Sequence, residues 1–413
     1  MGLDGRRALF ISYNGMLDAL GQTQVIPYLR ELAKRGVRFT LLSFEKPEAF
    51  TPEGQQRAED LKNNLLNHSI EWHTLPYHRS PSLPATMYDV MIGIRYASNL
   101  VRRNKIELIH ARGHIPATIG VALKRRFQIK LIFDLRGLMA EEYVDANHWS
   151  QRSLRYRITK TTERRILAAT DGIVTLTERI WPIIKEWDGL RGRNVSHAVI
   201  PCCVDLSLFR FSETDRAKRR TELGLEDRIT FVYSGSLDGW YLTDQMADFF
   251  AHVVRRQPAA HLLWLTNGRH ERVRELMSAR GIGEDQFTIR SVAASDVPSY
   301  LAAGDMGLSF IKPCFSKIAS SPTKNGEYLA CGLPIIINAG IGDSDSLVSD
   351  WKAGVLIKDL DEPSFDRAYS ELKAFTNNNG VRAKTRQVAE RLFNLETIAG
   401  ERYADLYEKV LEE

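Results

Sequence analysis

Lys324 and Glu327 stand three residues apart in SPTKNGEYLACGLPIII, residues 321–337, directly behind Ser321 and Pro322. Serine suits a helix N-cap and proline the first helical position. The segment is therefore expected to be a short helix that stops at Gly332 and runs into a buried strand. A helix start leaves backbone N–H groups without intrahelical partners and carries the positive end of the helix dipole. The N–H groups of Thr323, Lys324 and Asn325, together with the Lys324 ammonium, would seat a phosphate. Glu327, one turn along, would reach hydroxyls on the same ligand. The plain alternative is an i,i+3 ion pair on a solvated face, worth ~0.2–0.5 kcal/mol.

Other chemistry-bearing residues gather at strand ends. HARGH (110–114) brings His110, Arg112 and His114 together; either histidine could act as a base or hydrogen-bond donor, and a packed structural histidine is the alternative. FDLRG puts Asp134 and Arg136 at the end of another apolar run, where a local salt bridge is the alternative. Gly21 lies between the first strand and a helix, a place for an anion or simply a turn, and no G-x-G-x-x-G or Walker A sequence accompanies it. The triplets DSD (343–345) and DLD (359–361) are too short to indicate a divalent cation, and no metal site is expected. Neither a Ser/His/Asp triad nor a nucleophile elbow is present. RSLRYRITKTTERR (152–165) reads as a solvated helix face or as a patch that meets anionic lipid.

These residues need a scaffold with strand ends side by side. ALFIS, LGQTQ, a helical spacing through Val25, Ile26, Leu29, Leu32 and Ala33, Gly36 and VRFTLLSF form a strand–helix–strand unit, the opening of a doubly wound sheet. IELIHA (106–111), IKLIFDL (129–135), DGIVTLT (171–177) and VSHAVIPC (195–202) are expected to complete the first set of strands. A second cycle follows, with ITFVYSG (229–235), AHLLWLTNG (260–268), FTIRSV (287–292), MGLSFIK (306–312) and LPIIIN (333–338). The expected boundary lies near 205–211, and 413 residues are more than one core usually serves. Two such domains are expected to face each other across a cleft at the carboxyl ends of their strands.

Composition narrows the class. Hydrophobic residues at 44% and charged residues at 26% are those of a globular protein. A net charge of +5 suits an acidic ligand or an anionic membrane better than nucleic acid. The four cysteines show no zinc spacing and read as reduced thiols of a cytoplasmic protein. The apolar run Ala8–Ile11 is too short for a signal peptide, no window is long enough to span a bilayer, and Arg6 argues against myristoylation at Gly2.

Taken in order, the motifs resemble those of retaining glycosyltransferases of family 4, which have the GT-B fold. The similarity runs through SYNGMLDALGQTQVIPYLRELAKRGVRFTLLSFEKP, HARGHIPATIG, IFDLRGLMAEEYVD, VTLTE, VIPCCVDLSLF and SPTKNGEYLACGLPIIINAGIGD, and is greatest to a bacterial surface-polysaccharide subgroup. The resemblance implies an acceptor-binding domain over 1–205, a donor domain over 206–390, and a final helix, 391–413, crossing back to the first domain. It implies transfer from a UDP- or GDP-linked sugar to a glycan or lipid-linked glycan, with retention and without metal. The enzyme is expected in the cytoplasm, with peripheral contact at the inner face of an anionic membrane. Two other readings remain: a sugar-nucleotide epimerase of the same fold, and a non-catalytic subunit that binds a sugar nucleotide or glycan.

By the same resemblance Glu327 matches the second glutamate of an E-x7-E motif and contacts the nucleotide ribose. The first glutamate's position is occupied by Ala319. Ser320, Ser321 and Thr323 fall in the loop that approaches sugar and phosphates. After Gly235 relatives carry an arginine and then a lysine on the diphosphate; this chain has Ser236 and no basic residue before Arg255. Lys324, and after it Lys312, are the expected substitutes, with Gly21 also on the donor side. His114 or His110 is expected near the reacting sugar, and Arg112, Arg136 and Glu141 near the acceptor.

Overall fold

A computed structural model describes residues 2–376 and 380–412. The chain divides into two compact units. One comprises Met1–Pro201 with Leu395–Glu413, the other Cys202–Asn394.

The first unit is built on a seven-stranded sheet, β1 (Arg7–Ser12), β2 (Arg38–Glu45), β3 (Ile70–Pro76), β4 (Leu108–Arg112), β5 (Lys130–Asp134), β6 (Gly172–Thr175) and β7 (Ser196–Val199), in the order β3-β2-β1-β4-β5-β6-β7. Every pairing is parallel, so all carboxyl ends share one edge; Ser12, Arg112 and Asp134 stand in register there. β3 was not expected from sequence. As an edge strand it alternates buried and exposed positions in IEWHTLP, and so lacks the continuous apolar run of the central strands.

Short helices α1 (Ala19–Gln24) and α2 (Ile26–Lys34) follow β1. α3 (Ser82–Asn104), α4 (His114–Phe127), α5 (Met139–Asp145) and α6 (Leu154–Ala169) follow in order. α4 packs on β1, β4 and β5 and lies between α3 and α6. A helix over Glu401–Glu412 packs on β5 and β7, burying Tyr403, Leu406, Tyr407 and Val410. Gly172 accommodates it, since a Cβ there would stand 2.7 Å from Val410.

The second unit has a six-stranded parallel sheet, β8 (Thr230–Ser234), β9 (His261–Leu265), β10 (Phe287–Arg290), β11 (Met306–Ser309), β12 (Ile335–Asn338) and β13 (Gly354–Ile357), in the order β10-β9-β8-β11-β12-β13. Alternation splits its core over two faces: Phe231 and Tyr233 enter one cluster, Val232 the other. β13, a four-residue edge strand, also escaped the sequence reading. α7 (Thr323–Ala330) connects the β11 side of the sheet to β12.

Candidate functional site

The helix of the opening stretch is α7, and its start differs from expectation. The N-cap is Pro322 rather than Ser321, and the helix begins at Thr323. The Ser321 hydroxyl instead accepts a hydrogen bond from the Cys202 N–H at 3.1 Å. The Asn325 N–H is not available to a ligand, because it donates to the Pro322 carbonyl at 3.0 Å. The Ser320 N–H donates to the Lys317 carbonyl at 3.1 Å.

Lys324 and Glu327 do not form the solvated ion pair of the plain alternative. Lys324 is 6% exposed. Its Nζ lies 3.6 Å from the ring centre of Tyr241 and 4.3 Å from that of Tyr233, without a hydrogen-bond partner. It reaches under the β8 end: a Cβ on Gly235, whose φ is +147°, would meet Nζ at 2.8 Å. Gly235 is therefore where the chain makes room for the ammonium group. Burial brings Lys324 down to about 7, against the opposing pull of Glu327. Burial likewise pushes the half-buried Glu327 up to about 7, against the pull of Lys324. Both groups thus sit near their titration points, an arrangement common at functional sites.

Surrounding residues fix this geometry. The Tyr328 hydroxyl donates to the Leu308 carbonyl and accepts from the Ser234 N–H at 2.8 Å, tying α7 to β8 and β11. Gly307 lies flat beneath the Tyr328 ring. Asn325 donates through Nδ2 to Ser344 at 3.3 Å, while its buried Oδ1 has no partner. Tyr233 donates to the Ser236 carbonyl, and Ser236 itself is exposed. The Lys312 N–H donates to the Trp240 carbonyl at 2.9 Å, and Lys317 Nζ rests 3.8 Å from the Trp240 ring centre. Tyr233, Tyr241, Tyr328 and Lys317 carry no signal in the sequence that sets them apart, and Asn325 stands out there only for its backbone N–H, not for its side chain.

At the carboxyl edge of the first unit the candidates fall into two clusters. Arg112 Nη1 and Arg136 Nη1 each lie 3.6 Å from one oxygen of buried Asp134. Tyr403 donates to the same carboxylate at 3.0 Å, and His110 Nε2 lies 3.4 Å from it. Burial raises the Asp134 carboxyl, but Arg136, His110 and Arg112 outweigh this and hold it well below the usual range. His110 is an interior residue in the structure. It is 2% exposed, bound through Nδ1 to the Tyr407 hydroxyl at 2.7 Å, and packed against Phe10, Tyr403 and Tyr407. Burial lowers its pKa despite Asp134. Its ring anchors the C-terminal helix through Tyr403 and Tyr407.

His114 opens α4, and its Nε2 lies 3.1 Å from Glu163 Oε2. Lys160 pairs with Glu163 and, at 2.9 Å, with Glu141, which also accepts from the Tyr156 hydroxyl. Burial raises the Glu163 carboxyl, yet His114 and Lys160 bring it below its ordinary value. Arg112 and Arg136 are thus brought together on Asp134, and Glu141 joins His114 through Lys160 and Glu163. Lys160 and Glu163 are organising residues that the sequence reading left out of the site, whereas Asp134 was singled out there beside Arg136.

Gly21 is the third residue of α1 and is buried. It is glycine because the Gly15 carbonyl and Met16 backbone occupy the place of a side chain. That loop is held by Glu45, which accepts from the Met16 N–H at 2.7 Å and the Ser43 hydroxyl at 2.6 Å. The acidic triplets have local duties: Asp345 accepts from the Gly340 N–H at 3.0 Å and Asp361 from the Ser364 N–H at 2.9 Å.

Two parallel α/β units of this topology define the GT-B class of folds, and solved structures agree. Anabaena Alr3699/HepE, crystallised with UDP and glucose, superposes with a TM-score of 0.71 at 16% identity over 98% of this chain and 100% of that one. Sucrose-phosphate synthase from Thermosynechococcus elongatus gives 0.70 at 17% identity over 98% and 99%. WaaG, a glycosyltransferase involved in lipopolysaccharide biosynthesis, gives 0.65 at 16% identity over 97% and 99%. A search of curated protein sequences gave no match. Residues 21–208 match the family model for Glycosyltransferase Family 4, and residues 215–389 match that for Glycosyl transferases group 1. Together these matches cover most of the chain, which belongs to the family 4 glycosyltransferases of GT-B fold.

Proposed function

We propose that this glycosyltransferase moves a sugar, with retention of anomeric configuration and without a metal ion, from a UDP- or GDP-linked donor to a glycan or lipid-linked acceptor. The observation that carries the reading is the buried, unpartnered Lys324 ammonium held on two tyrosine rings beneath Gly235. A departing diphosphate needs fixed positive charge where its own charge develops, and this is a large catalytic term in a water-poor site. Lys324 supplies that charge where no arginine or lysine stands between Gly235 and Arg255, so the reaction does not require a cation from solution. Glu327, half-buried on the same helix, accepts from the ribose hydroxyls. Arg112, Arg136 and His114 meet the acceptor or the transferred sugar, with Asp134 and Glu163 fixing them. The enzyme acts at a cytoplasmic membrane face.

The test is donor turnover. Purified enzyme should release UDP or GDP slowly from a nucleotide sugar without acceptor, and Lys324→Ala should lower transfer at least about tenfold, on the order of 1.4 kcal/mol. Normal turnover in that variant would remove Lys324 from the site. Tight nucleotide binding with no turnover over a broad acceptor set would indicate a binding subunit instead.

A further inference from the structure

The helical layer α3–α4–α6 is strongly basic. Its three helices contain eleven arginines and lysines and only two acidic residues, Asp89 and Glu163. Both acids are buried, so none of the layer's carboxylates faces solvent. Lys160 is taken up by Glu141 and Glu163, and Lys124 by Asp171. Arg95, Arg125, Arg126, Arg155, Arg157, Arg164 and Arg165 are exposed.

The same layer exposes large apolar side chains in rows. Leu83, Met87 and Met91 follow one another at four-residue steps on α3 and are 46%, 65% and 60% exposed. Leu154 and Ile158 do the same on α6, at 71% and 43%. Single exposed hydrophobics are ordinary, but rows of them beside arginines, with no exposed acid, have the composition of helices that lie in a membrane interface. Crossover helices run antiparallel to the strands they join, so the first turns of α3 and α6 both lie at the carboxyl edge of the sheet. α4 lies between them, with Ile115 and Thr118 half-buried.

We propose that the outer face of α3, α4 and α6 docks on a bilayer interface that carries anionic phospholipid. Leu83, Met87, Met91, Leu154 and Ile158 enter the headgroup–acyl boundary, and the exposed arginines lie on lipid phosphates. A second copy of this chain is disfavoured as the occupant because like-charged layers would face each other. Nucleic acid would satisfy the arginines but offers the methionine and leucine rows no apolar phase. Docked this way, the edge that carries Arg112 and His114 lies at headgroup depth. The docking deepens the proposed action at a membrane face, and the depth of this edge bears on the proposed transfer to a lipid-linked acceptor.

Vesicle co-sedimentation of the full chain tests it, using phosphatidylcholine alone and phosphatidylcholine mixed with phosphatidylglycerol, at low and high salt. Binding is expected on the mixed vesicles and should weaken as salt screens the headgroups. Combined Leu83→Ser, Met87→Ser and Met91→Ser should reduce partition at least about tenfold, since each buries apolar surface in the interface. Arg155→Gln and Arg157→Gln should each reduce it about fivefold. Nucleotide-induced thermal stabilisation should be unchanged in every variant, which keeps loss of folding and failure of the donor site separate from loss of docking. Equal binding to neutral and mixed vesicles, or wild-type partition by both variant sets, would overturn the proposal. So would self-association or RNA binding that the serine variants abolish in the absence of any vesicle binding.

Discussion

Lys324→Met should make the ligand-free protein more stable and remove its response to nucleotide. Holding an ordinary lysine, pKa 10.5, at about 7 inside the protein corresponds to roughly 4–5 kcal/mol of unfavourable burial. The two tyrosine rings return part of this only while the amine is charged, ~0.5–2 kcal/mol. Methionine fills a similar volume with no charge to desolvate, and such replacements of buried ionic groups commonly stabilise by ~1–4 kcal/mol. At ~2 kcal/mol the melting temperature of a unit this size rises about 4–8 °C. Wild-type protein at a nucleotide concentration near 100 times its Kd gains about 2.7 kcal/mol, and the variant should gain almost none. Differential scanning calorimetry with and without UDP and GDP reads both effects. A variant that melts at or below wild type and keeps the nucleotide shift would refute the assignment of Lys324 as a diphosphate cation stored at a stability cost.

The same pair sets a pH signature. Glu327, raised to about 7, contributes stability below its ordinary value that is lost as pH rises through 7. Lys324, lowered to about 7, makes stability recover as pH climbs from there toward 10.5, because the unfolded chain binds the extra proton. A stability minimum near neutral pH is expected, absent in the Lys324→Met, Glu327→Gln double variant. Nucleotide affinity should be highest below about 7 and fall above it, since a diphosphate favours the ammonium form; calorimetry in buffers of different ionisation enthalpy should show proton uptake, and affinity rising with pH would contradict this. Asp134→Asn should cost ~3–5 kcal/mol in chemical denaturation by leaving buried charges without their counterion, and should raise acceptor KM; unchanged denaturation would show that Arg112, Arg136 and Tyr403 do not depend on it.

The sequence by itself carried the repeat of apolar strands and helices, and with it the two-cycle α/β plan, because strands buried on both faces must be apolar throughout. It also located α7 and singled out Lys324 and Glu327. It did not show β3 or β13, since edge strands need only alternate or be short. Local spacing suggested an ion pair between Lys324 and Glu327, and a cap at Ser321. Tertiary packing decided otherwise: Gly235 leaves the space, Tyr233 and Tyr241 supply the rings, and these residues are distant in sequence from α7. His110 and His114 look equivalent in HARGH, yet one faces the C-terminal helix and the other opens α4. Which side of β4 each neighbour occupies depends on Tyr403, Tyr407 and Glu163, residues no local motif connects to it. Side-chain type and periodicity are local properties; burial, and therefore charge state, belongs to the assembled sheet and its helices.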